Sequence, residues 1–129
     1  MGGAEHAETS PDAETLVVTP LSCSLVGHTH RVRLAAGSRT AALYGSQSAE
    51  EDYFCNYGLN PEFRPRLELA GLRASGLGDD GEVRIVELVG HPFFVATLFC
   101  FQTRSRPGAP HPLVAGFVAA ARSAIQAAR

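Results

Sequence analysis

The stretch that decides the fold runs from Gly90 to Ala121 and reads GHPFFVATLFCFQTRSRPGAPHPLVAGFVAAA. Its His-Pro turn leads into an unbroken apolar run, Phe93 to Phe101, rich in Phe and Val. A run of this kind, bounded by turn residues, predicts a strand buried on both faces. A polar, proline-punctuated loop follows from Gln102 to Pro110. From Pro112 to about Ala128, Leu113, Val114, Phe117, Val118, Ala121 and Ile125 form one stripe among many alanines, which predicts an amphipathic helix lying on the sheet. In α/β proteins functional residues collect at the carboxyl ends of buried strands. Cys100, Phe101 and Gln102 hold that position, so their chemistry decides the functional question.

Working back along the chain, Leu72–Leu77 and Glu82–Val89 flank Gly78-Asp79-Asp80-Gly81, a strong hairpin signal. Together with the apolar run this predicts a three-stranded meander whose most apolar strand is innermost. Asn60-Pro61 starts a helix reaching about Ala70, with Pro65 disturbing it if it lies past the first turn. Glu50–Tyr57 reads as a strand, and Ser38 caps a short helix, Arg39–Tyr44, closed by Gly45. His28–Leu34 alternates, with His28, His30, Val32 and Leu34 on one face of a half-exposed strand. Thr15–Thr19 is a short β-branched strand stopped by Pro20. Residues 1–14 are expected to be a flexible lead-in and residues 15–129 a single α/β domain, a mixed sheet with an antiparallel second half and packed helices.

Composition narrows the function classes. Apolar residues make up 45% and charged residues 19% of the 129, and the formal net charge is −2, so nothing points to nucleic acid or an anionic membrane surface as a partner. No run approaches the ~18–20 apolar residues of a membrane span, and the acidic start, without an apolar core, does not read as a signal peptide. Three cysteines without CxxC spacing argue against a disulfide framework or a zinc cluster and fit a reduced, cytoplasmic protein. His28 and His30 share a strand face at a spacing that can hold a metal, but with no third ligand nearby they read as surface histidines. His91 and His111 each precede proline and read as turn-capping residues. Neither a metal nor a cofactor is expected.

The residues also resemble a family. HPFFVAT followed by SRPGAPHPLVAGFVAAA is similar to the closing segment of the glutamine amidotransferase domain of CTP synthase, a class I amidotransferase. The similarity extends through Glu82–Glu87, Ala70-Gly71-Leu72, Tyr57-Gly58-Leu59-Asn60-Pro61, Leu43-Tyr44-Gly45 and Ala36-Gly37-Ser38, roughly residues 28–121. TPLSCSLVGHTHRVRL resembles more closely the short, stand-alone proteins related to CTP synthase. The resemblance implies the second half of a flavodoxin-like class I amidotransferase fold.

The family's chemistry needs a cysteine at a nucleophile elbow, a histidine base and a glutamate that orients it. None of Cys23, Cys55 or Cys100 lies in a Gly-x-Cys-x-Gly pattern. Aligned on HPFFVAT, the family's histidine and glutamate positions hold Cys100 and Gln102. The resemblance therefore implies a degenerate triad and a non-catalytic binding or interaction module. The alternative is an amidotransferase active only with a first half or partner chain. Cys100 as a replacement nucleophile needs a base; an extended strand would hold His91 about 30 Å away, whereas His111, after the loop, can fold back. With half a domain's sheet to cover, the chain is expected to form a homo-oligomer or to bind a partner chain, with room for a small-molecule ligand.

Overall fold

The computed structural model describes residues 2–129 and is a mixed α/β arrangement of two sheets and three helices. In chain order the elements are β1 (Glu5–His6), β2 (Leu16–Pro20), β3 (His28–Leu34), α1 (Arg39–Tyr44), β4 (Ser48–Tyr53), β5 (Tyr57–Leu59), α2 (Arg64–Leu69), β6 (Leu72–Gly78), β7 (Val83–Leu88), β8 (Val95–Thr97) and α3 (Pro112–Ala127). The main sheet has the order β4-β3-β6-β7-β8 and is antiparallel throughout. The small sheet, β1-β2-β5, joins a parallel pair to an antiparallel one.

Alternation sets the core. On β3, Val32 and Leu34 point inward and are buried, while Arg31 and Arg33 are exposed. On the paired strand β4, Glu51 and Tyr53 are inward, opposite His30 and His28, and Ile85 of β7 completes the inner face. Phe99 and Leu113 close the core from the connection after β8 and from α3. Ser38 caps α1 by accepting from the Ala41 N–H, and Gly45 ends it in the left-handed region at φ 62°. The buried carboxylate of Glu87 accepts from the N–H groups of Arg39 and Thr40 and from the Thr40 hydroxyl, fixing the start of α1 to β7.

Several expectations need correction. The apolar run is not a long strand buried on both faces. Only Val95–Thr97 pairs, and it does so as an edge strand with β7 on one side, so β7 and not β8 is innermost in the meander. Phe93 before it serves the helix instead, meeting Phe117 of α3 edge-on with ring centroids 5.7 Å apart, whereas Phe94 is exposed. The predicted strand Glu50–Tyr57 breaks after Tyr53 and resumes as β5 in the other sheet. Asn60 does cap a helical start, accepting from the Glu62 N–H, but a 3-10 turn over Pro61–Phe63 precedes α2, and Pro65 falls in α2's first turn, where it costs no hydrogen bond. Within residues 1–14, expected as a flexible lead-in, Glu5 and His6 pair in parallel with β2.

Beyond β8 the chain becomes a strap across the sheet. The Leu98 N–H donates to Arg84 O at 2.9 Å, continuing the pairing with β7, and the Cys100 N–H donates to Asp52 O at 2.9 Å, on β4. Because β4 and β8 are opposite edges of the sheet, these two bonds close it at one end with the chain's own backbone.

Candidate functional site

The strap delivers Cys100 to the start of a short 3-10 turn, Phe101–Arg104, and this turn is fastened to β4 through one side chain. Asp52 accepts from Thr29 Oγ1 at 2.8 Å, from Thr103 Oγ1 at 3.1 Å and from the Arg104 guanidinium at 2.9 Å. The Arg104 hydrogen bond, followed by that of Thr29, holds the Asp52 carboxyl down to about 2. Arg104 is thus a clamp. Cys100 is half-buried, whereas Gln102 is exposed on the turn. A primary amide exchanges no proton at ordinary pH, so Gln102 can orient a group but cannot act as acid or base.

The second thiol of this region was not connected with the first by sequence. Cys55 follows β4, and its thiol donates to Leu98 O at 3.1 Å, on the strap that carries Cys100. Burial pushes the Cys55 thiol up, and nearby Cys100 adds to the effect. Such an environment favours the protonated thiol over the thiolate.

His111 does fold back, but toward a different task. Its Nε2 lies 2.7 Å from Glu51 Oε1, and Tyr44 donates its hydroxyl to the same oxygen at 2.5 Å. On the other side of the ring, Nδ1 accepts the Leu113 N–H at 3.2 Å and so caps α3. The bond network places the ring proton on Nε2, facing Glu51. With both nitrogens engaged, His111 cannot serve Cys100 as a base, although its ring lies 5.6 Å from that of Phe101. Burial, followed by the Glu51 hydrogen bond, pushes the Tyr44 hydroxyl far above its ordinary range, so it stays a donor. The reading of His111 as a turn cap holds, but Glu51 and Tyr44 were missed. The available signal was Glu51 itself, an acidic residue at the inward position between Ala49 and Tyr53.

The remaining histidines divide as follows. His91 is exposed, and its Nδ1 accepts the Phe93 N–H, again as a turn cap. His28 and His30 are exposed neighbours with ring centroids 5.7 Å apart. Among the described residues, no group of three or more His, Cys, Asp and Glu side chains converges to hold a metal ion, and no helix is long and apolar enough to cross a membrane.

No protein-family profile matches the chain, but individual proteins and a solved structure do. The structure is the glutaminase domain of Trypanosoma brucei CTPS with bound acivicin, which superposes with a TM-score of 0.84 at 25% identity over 93% of this chain and 51% of that one. The architecture is therefore that of a class I glutaminase domain, matched over about half of such a domain. The chain is also 46% identical over 89 residues to CTP synthase from Cereibacter sphaeroides, covering 68% of this chain and 16% of that protein. It is 44% identical over 95 residues to CTP synthase from Chloroflexus aggregans, covering 73% and 17%. The chain is homologous to the glutaminase domain of CTP synthase. It spans about a sixth of the length of the curated relatives it matches.

Proposed function

We propose that this chain is a glutaminase-like module that does not itself release ammonia from glutamine and acts by binding, in the cytoplasm, as a pseudoenzyme. One observation carries the reading: Cys100 and Gln102 stand where the resemblance puts a histidine base and its glutamate. The nearest plausible replacement base, His111, has both ring nitrogens committed to Glu51 and Leu113. The test is ammonia release from glutamine by the purified chain, with Cys100→Ser as control. No release above the control is expected; release abolished by Cys100→Ser would overturn the reading.

Two surfaces suit a binding role. A cleft of about 400 Å³ between β3 and the β6–β7 turn is lined by His28, His30, Arg31, Asp79 and Arg84, a polar concavity suited to a small ligand. The apolar side of α3 leaves Phe117 and Ile125 each 58% exposed, and Phe94 beside them is exposed as well. In this reading a second copy of the chain covers that side. Light scattering is expected to give a dimer that Phe117→Glu dissociates, and a clean monomer with cooperative unfolding would count against it. The alternative, an amidotransferase completed by a first half or partner chain, draws on the 51% coverage of the solved glutaminase domain. It predicts glutaminase activity only on adding that half.

A further inference from the structure

Two of the three free thiols lie on segments that run side by side. The Cys55 sulfur is 3.1 Å from Leu98 O, and one residue, Phe99, separates that carbonyl from the Cys100 amide. The sulfur is therefore within ~8 Å of the Cys100 backbone on covalent dimensions alone. From the other side, the Cys100 amide is tied to Asp52, three residues before Cys55. Tyr53 and Phe99 stack edge-on between the two bonds, with ring centroids 5.7 Å apart, holding the segments together. Residues 54–56 and 98–100 all lie outside strands and helices, and a disulfide between them requires a Cα separation of roughly 4.4–6.8 Å. Cys23, the third thiol, is exposed, whereas these two are half-buried.

We propose that Cys55 and Cys100 form a dithiol that exchanges with low-molecular-weight disulfides and closes into an intramolecular Cys55–Cys100 disulfide. Cys100 attacks first, because the Cys55 thiol proton is held on Leu98 O. The Cys100 thiolate, its proton lost to solvent, forms a bond to one sulfur of R–S–S–R, and the S–S bond breaks to release RS⁻, which is protonated to RSH. Cys55 then loses its proton to solvent and attacks the Cys100 sulfur of the mixed disulfide, expelling the second RS⁻. The sum is dithiol plus R–S–S–R giving protein disulfide plus two RSH, with the low-molecular-weight disulfide as oxidant. This goes beyond the glutaminase-like reading, and its test does not depend on any glutamine assay.

The test uses Cys23→Ser chain, reduced, freed of reductant and incubated with oxidised glutathione, then acid-quenched, alkylated and mapped by mass spectrometry. The expected product is a linked Cys55–Cys100 peptide, with two equivalents of reduced glutathione released per chain. Adding Cys55→Ser is expected to stop the reaction at a glutathione adduct on Cys100, with one equivalent released. A glutathione adduct that persists on Cys100 while Cys55 is present, or full alkylation of both thiols after incubation, would overturn the proposal. The mapping on protein that keeps both cysteines needs no substitution at either, so a misfolded Cys55→Ser chain cannot obscure the outcome.

Discussion

The knot of Glu51, Tyr44 and His111 and the turn of Cys100 to Arg104 lie close together and use their polar residues in opposite ways. The knot is buried: Glu51 is 1% and His111 4% exposed, and the Glu51 Oε1 atom and both His111 nitrogens are used in joining β4 to α1 and α3. The turn is half-open, carries the positions to which the resemblance assigns a histidine and a glutamate, and presents a thiol and an amide. A histidine beside a glutamate is the pair one would seek in a hydrolase, and here it holds the fold. Pair identity is therefore a poor guide to function until the remaining valences are counted. His111 has no free ring nitrogen, whereas Cys100 has an uncommitted thiol within reach of a second one.

The sharpest way to break this contrast is to remove one partner of the knot. His111→Ala leaves the Glu51 carboxylate buried with Tyr44 as its one remaining partner and strips the cap from α3. The expected loss is about 3–5 kcal/mol, the usual cost of orphaning one member of a buried pair. Gln102→Ala, on an exposed turn position, should change stability by no more than ~0.5 kcal/mol. Urea unfolding of the two variants measures both. Comparable losses would mean that the turn, too, is structural.

A second, smaller effect tests whether the knot depends on close helix packing. A Cβ placed on Gly116 of α3 would sit 2.6 Å from Leu43 Cδ2 of α1, inside any allowed contact. Gly116→Ala gains helix propensity but must displace the Leu43 side chain packed against it. The net result expected is a loss of about 1–3 kcal/mol, because overpacking outweighs the ~1 kcal/mol of propensity. Thermal unfolding reads the sign, and a more stable variant would show that Leu43 yields freely.

Much of the scaffold was legible from residues alone. The Gly78–Gly81 hairpin, the Ser38 and Gly45 ends of α1 and the extent of α3 follow from local rules, where one residue's conformational preference decides; the stripe of α3 does not lie on the sheet as expected, since Phe117, Val118 and Ile125 are exposed. The apolar run misled because hydrophobicity reports burial and not the neighbour that provides it: Phe93 is covered by a helix and not by a second strand. At the candidate site, Cys100 and Gln102 were visible through alignment to a known pattern. Asp52 and Cys55 were not, since their roles depend on contacts with partners some 43–52 residues away. No periodicity encodes such pairings.

The mildest test concerns Asp52, which fastens the turn to β4. Its folded pKa, about 2, lies below its ordinary value of 3.8, chiefly because of Arg104 and Thr29. A depressed carboxyl contributes stability that is fully present above its unfolded pKa and is lost as pH falls from about 4 through about 2. Asp52→Asn removes the charge without changing the shape, so the variant should show a shallower acid-unfolding slope in that window and a small, matching loss of stability at neutral pH. Because the clamp is solvent-screened, the effect should be local: faster amide hydrogen exchange at Cys100, Thr103 and Ser105, with β7 unchanged. Their amides donate to Asp52 O, Cys100 O and Gln102 O, the bonds that define the strap and its turn. Equal exchange in the two proteins would show that the backbone bonds alone hold the strap, leaving Arg104 and Thr103 without a fastening role.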